Sequence, residues 1–184
     1  MKFAKIALVA AMGLTGISSA YAAGIGGSST TDQGHGTVTF TGSIIDAPCS
    51  ITPDTVDQTV DLGEVSDAAL ANQGSSTPVP FQIKLENCDI SDASQDAVSV
   101  TFQGMQDAVD ASMLGLSGTA AGAGIVITTS AGSQLDLGTA SAAQQLQTGP
   151  NTLGFTAYLR GEAAATPVTP GDFSSVANFS LAYE

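Results

Sequence analysis

Apolar and polar positions alternate with a period of two over much of the chain, and sustained helical periods are scarce. Seven stretches carry the alternation: "TVTFTGSII" (37–45), "TVDLGEV" (59–65), "VPFQIKLEN" (79–87), "AVSVTFQG" (97–104), "AGIVITTS" (123–130), "NTLGFTAYLRG" (151–161) and "ANFSLAYE" (177–184). Clusters of Gly, Pro, Asn, Asp and Ser separate them, which is the punctuation of strands joined by turns. Helix signals are confined to "DAALANQG" (67–74) and "SAAQQLQTG" (141–149), each long enough for a single turn. "SGTAAGAG" (117–124) reads as a flexible surface loop, and "GEAAATPVTPGD" (161–172) as a loop because a central strand would not tolerate its prolines.

Many short strands with turn chemistry between them predict an all-β fold, an antiparallel sandwich of immunoglobulin type. Tryptophan is absent, so the Cys…Trp…Cys pattern of antibody-like domains is missing. Both ends of the pattern are unusual. "HGTVTFTG" (35–42) places Val38 and Phe40 on one face and threonines on the other, yet comes after a glycine- and serine-rich tail, "AGIGGSSTTDQG". At the other end Phe179, Leu181 and Tyr183 alternate with Asn178, Ser180 and Ala182 in a final strand that carries no proline or lysine to protect an edge.

The first residues read as a secretory signal. "MKFAK" is basic, "IALVAAMGLTGI" is apolar but too short to span a bilayer, and Ala20-Tyr21-Ala22 fits the cleavage rule, so residues 1–22 are expected to be removed. The remaining chain carries Lys84 and Arg160 as its only Lys or Arg against 17 carboxylates, a net charge of −15. Such a surface repels nucleic acid and anionic membranes, and no other stretch has the length to insert in a bilayer. With only 11% charged residues and 43% hydrophobic ones, the composition supports a packed domain rather than a solvated coil. Behind a secretory signal, the two cysteines Cys49 and Cys88 are expected to form one disulfide.

Reactive constellations are not visible. The carboxylates Asp54, Asp57, Asp61, Glu64 and Asp67, and likewise Asp89, Asp92 and Asp96, lack the spacing of a calcium loop and read as solvated surface. His35 is the only histidine and sits beside the flexible tail, which leaves neither a Ser-His-Asp triad nor a zinc site. Asn178-Phe179-Ser180 matches a glycosylation sequon, a three-residue pattern common by chance. No enzyme activity, cofactor or metal is expected.

The stretch "GTVTFTGSIIDAPCSI" (36–51), the second cysteine in "IKLENC" (83–88), Gly171 and the ending "ANFSLAYE" together resemble pilin subunits of chaperone–usher fimbriae, the type 1 and P pili of Gram-negative bacteria. In that family the penultimate residue is typically tyrosine and a glycine stands fourteenth from the C-terminus; Tyr183 and Gly171 match. The resemblance implies an immunoglobulin-like sandwich that lacks its last strand and is completed by donor-strand complementation. Residues 1–22 would be the signal, 23–41 an N-terminal extension that is donated, and 42–184 the pilin domain. Gly34, Gly36, Val38 and Phe40 would form the donated face. Gly42 would lead into the domain's own first strand, "SIIDAPC". Gly171, Phe179, Leu181 and Tyr183 would mark the acceptor groove and the surface recognised by a periplasmic chaperone.

The implied partners are neighbouring pilin subunits, that chaperone and an outer-membrane usher. The implied destination, reached through the periplasm, is a fimbrium on the cell surface. Chain length leaves room for the pilin domain alone, favouring a shaft subunit over a two-domain adhesin. The other reading is a minor fimbrial subunit or secreted β-sandwich binding module that contacts host glycans, for which aromatic stacking residues are few.

Overall fold

The computed structural model describes residues 35–91, 93–163 and 167–184. The chain divides into two compact units, Met1–Ser43 and Ile44–Glu184. Within the first unit, residues 35–43 join no helix or sheet, and Val38 and Phe40 are 74% and 89% exposed.

The second unit is built on antiparallel sheets. Its strands are β1 (Ser50–Ile51), β2 (Val79–Cys88), β3 (Ala97–Gly104), β4 (Ser117–Gly118), β5 (Ala123–Thr129), β6 (Gln134–Leu135), β7 (Gln144–Gln145), β8 (Gly149–Gly161), β9 (Phe173–Ser174) and β10 (Ala177–Tyr183). One sheet runs β1-β2-β8-β5-β6, a second runs β10-β3-β7, and β4 pairs with β9. Two single-turn helices, α1 (Pro53–Val56) and α2 (Asp67–Leu70), occupy the stretch between β1 and β2. Ser66 caps α2 by accepting a hydrogen bond from the Ala68 amide, the usual role of serine at that position.

Strand β8 shows how the alternation sets the core. Leu153, Phe155, Ala157 and Leu159 are buried while the residues between them are half-buried. Phe155 and Phe81 from one sheet meet Phe102 from the other, with ring centroids 5.1 and 6.1 Å from Phe102. Edge-on packing at such distances adds to the area that the rings remove from water. Cys49 and Cys88 are joined in a disulfide that closes a 39-residue separation and pins the start of β1 to the end of β2. Asn87 takes a left-handed backbone (φ 54°) where the β2–β8 register shifts between Leu85 and Cys88.

Five expected elements differ. Neither "TVTFTGSII" nor the expected "SIIDAPC" strand forms; the two-residue β1 follows directly after, at Ser50–Ile51. "TVDLGEV" keeps the alternation only as far as Val60 and Leu62, with Val65 half-buried out of phase, and among the described residues no strand lies beside it to make a sheet. "SAAQQLQTG" contains β7 in place of a helical turn, its Gln144 and Gln145 paired with Val98 and Ala97. "SGTAAGAG" is not a free loop: it supplies β4 and the buried start of β5.

Candidate functional site: an open groove beside the last strand

Strand β10 uses one edge only. Its seven residues, Ala177 to Tyr183, pair in unbroken register with Gly104 to Val98 of β3, and among the described residues no strand lies on its other side. Ala177, Phe179, Leu181 and Tyr183 face the core but remain half-buried, whereas Val98, Val100 and Phe102 opposite them are fully buried. The exposure comes from the missing neighbour.

Across from β10 stands segment 56–65. Among the described residues, positions 58–65 make no backbone-to-backbone hydrogen bond; the Gly63 amide donates to the Asp61 side chain. The segment is held from below. The Gln58 side-chain amide donates to the Thr55 and Gln82 carbonyls, and Lys84 Nζ donates to Asp54 Oδ2 at 2.9 Å. The Thr52 hydroxyl, helped by Lys84, holds the Asp54 carboxyl below its ordinary range.

A cavity of about 690 Å³ lies between these walls, and a second of about 720 Å³ lies beside it, between segment 59–65 and residues 168–175. The first has Phe81, Phe102, Leu114 and Ile127 at its base, with Val60 and Leu62 on one wall and Ala177 and Phe179 on the other. The second is lined by Leu62, Val65, Leu70, Leu159, Val168 and Phe173, around the smaller core cluster of Leu70, Ala123 and Leu159. Leu62 and Ile125 line both, so the two cavities form one continuous apolar trough.

Gly171 lines the second cavity, and its need for glycine is now explicit. A Cβ there would stand 2.4 Å from Thr119 Oγ1 and 2.6 Å from the Ala120 amide nitrogen. Both the Thr119 and Ala120 amides donate to the Asp172 carbonyl, so the two loops are clamped at a separation only glycine permits. At the other end, Tyr183 carries a buried hydroxyl with no hydrogen-bond partner among the described residues, and burial pushes its phenol up from the ordinary value.

The described donor candidates lie in open surroundings. Nothing lies within 4 Å of where a Cβ at Gly36 or Gly42 would be, so nothing in the lone chain calls for glycine at either position. Gly34 falls outside the described residues. Ile44 is absent from the expected site residues because the sequence reading counts it in the domain's first strand. It is fully exposed and shares its alternation phase with Val38, Phe40 and Gly42, which is the signal that could have found it.

Residues 38–184 match the family model described as "Fimbrial protein". The chain is similar to the Fimbria A protein of Serratia marcescens, 55% identical over 83% of this chain and 87% of that one. It is also similar to the major MR/P fimbria protein of Proteus mirabilis, 48% identical over the whole of both chains. Among solved structures, a subunit of a chaperone–usher pilus superposes with a TM-score of 0.74 at 36% identity, covering 83% of this chain and 97% of that one. The P pilus rod subunit PapA gives 0.67 at 33%, over 75% of this chain and all of that one. With its all-antiparallel sheets and one flank unfilled, the fold is an incomplete immunoglobulin-like sandwich, and the chain belongs to the fimbrial protein family.

Proposed function

We propose that this chain is a shaft subunit of a surface fimbria, polymerising without covalent links by lending its N-terminal strand to the groove of the next copy. The observation that carries the reading is the apolar trough beside β10: a strand edge with no partner among the described residues, flanked by half-buried Phe179, Leu181 and Tyr183. Left in water, such an edge recruits a strand from whatever chain is near. Strand addition satisfies it twice, because main-chain hydrogen bonds extend the β10 ladder and alternate side chains fill the trough.

The segment 35–44 has the required form. Val38 and Phe40 are exposed in the lone chain, and each contributes roughly 1.5–3 kcal/mol when fully buried. Gly36 and Gly42 share their face and slip past places where the trough has no room for a side chain; Gly34, in the same phase, continues that face upstream. Ile44 continues the face and is a further plug for the trough. Upstream, "AGIGGSSTTDQ" has Ile25 as its one large aliphatic residue, so the donated face is concentrated in 34–44. Before assembly, a periplasmic chaperone fills the trough with a strand of its own. Exchange for the next subunit's extension takes place at an outer-membrane usher, which delivers the fibre to the cell surface.

The test is assembly by subunits lacking residues 23–41, with Phe40→Asp as a point variant in the full chain. Both are expected to remain chaperone-bound monomers, measured by co-purification and electron microscopy of surface fibres. Long fibres built from either would overturn the reading.

A further inference from the structure

Two exposed apolar side chains flank the β10–β3 ladder, Val176, which also borders the first cavity, and Met105. Continuing the Ala177–Gly104 pairing by one residue sets Val176 opposite Met105, and these side chains are 73% and 54% exposed. Further along, the outward residues of β10 are Asn178, Ser180 and Ala182, so the face is polar or small except at its Val176 end.

The donor segment repeats this arrangement. With Val38, Phe40 and Ile44 turned into the trough, the alternate residues Thr39, Thr41, Ser43 and Ile45 lie on the outside of the completed sheet. Three are small and polar, and the last is an isoleucine 61% exposed in the lone chain. Every pairing in these sheets is antiparallel, and a strand added antiparallel to β10 ends beside the N-terminal end of β10. With Ile45 carried to Val176, that order sets Ser43 against Asn178, Thr41 against Ser180 and Thr39 against Ala182. Side chains that are opposite or diagonal on one sheet face are within about 8 Å of each other, which is contact range for these residues.

We infer that Ile45 of each subunit packs on Val176 and Met105 of the next copy, a second contact at the exposed rim where β10 begins. This rests on the donated-strand reading and adds the junction to it. The contact covers the join just where the donated strand leaves one molecule for its own domain, and so limits bending there.

The experiment compares full-chain fibres of Ile45→Asp, Val176→Asp, and the pair Ile45→Asp with Val176→Lys, following dissociation in warm detergent. Each single variant is expected to dissociate about tenfold faster than wild type, and the charge pair to recover part of the loss. Unchanged melting of the monomer is expected, because all these side chains are exposed in it. Wild-type lifetime for Ile45→Asp, or a charge pair as short-lived as the two single losses combined, overturns the contact. Phe40→Asp separates the two ideas: if it stops assembly while Ile45→Asp has no effect, the donated strand stands and the junction contact falls. If Phe40→Asp fibres assemble normally, both fall.

Discussion

Tyr183 places a phenol in the core with its hydroxyl buried and no partner among the described residues. Burial disfavours the phenolate, so the folded chain holds the proton above the ordinary value of 10.0. The unfolded chain ionises first as pH rises. Stability from this group is therefore complete below pH 10, and is lost as pH climbs through 10 toward the folded value. Tyr183→Phe is expected to move the alkaline unfolding midpoint upward, followed by circular dichroism, and to leave stability at neutral pH unchanged or slightly raised because an unpaired hydroxyl is removed. A midpoint that moved downward would mean that the hydroxyl is hydrogen-bonded. Gly171 shows what single residues conceal. Its spacing from the chain end singled it out, but what excludes a side chain there is the packing of Thr119 and Ala120, about 50 positions away in the chain.

At the scale of elements, alternation located β2, β3, β5, β8 and β10 within a residue or two. It overcounted where pattern and pairing part company. "TVDLGEV" and "TVTFTGSII" have the side-chain rhythm of strands, but a strand needs a neighbour to take its backbone groups, and rhythm does not supply one. Short strands such as β7 were missed for the opposite reason, since two glutamines carry no rhythm. The trough was legible only as an inference from its two ends; its shared floor around Leu62 and Ile125 joins residues that no local pattern links.

The wall at 58–65 gives the prediction at this scale. Its amides make no backbone-to-backbone hydrogen bond among the described residues of the lone chain, so hydrogen exchange there is expected to be fast in the monomer. In fibres it is expected to slow by at least about tenfold, as a donated strand pairs with it or covers it. Equal exchange in both forms would place the added strand elsewhere. The wall hangs from the Cys49–Cys88 crosslink, which by loop length contributes about 4 kcal/mol to the domain.

For the whole molecule, charge sets the terms of association. Both the Lys and the Arg side chain of the domain are engaged, Lys84 with Asp54 and Arg160 with Asp110, each at 2.9 Å. The Ser112 hydroxyl donates to Asp110 and, with Arg160, holds its carboxyl below the usual range. Most of the 17 carboxylates remain uncompensated, so approaching copies repel one another. Raising salt from about 10 to about 150 mM shortens the Debye length from roughly 30 to 8 Å and is expected to speed fibre growth several-fold. Light scattering of subunits released from their chaperone measures this; growth that slows with salt would show that attraction between opposite charges drives the encounter.

In the proposed assembly the trough and the strand that fills it lie on different parts of one chain, so the contact between copies is head-to-tail and, where its rotation does not close a ring, runs on as a filament. A filament made this way has polarity. However long it grows, one terminus keeps an empty socket and the other an unused plug. The socket end, with Phe179, Leu181 and Tyr183 uncovered, is where a filament can still lengthen, and where it needs a cap if it is to stop.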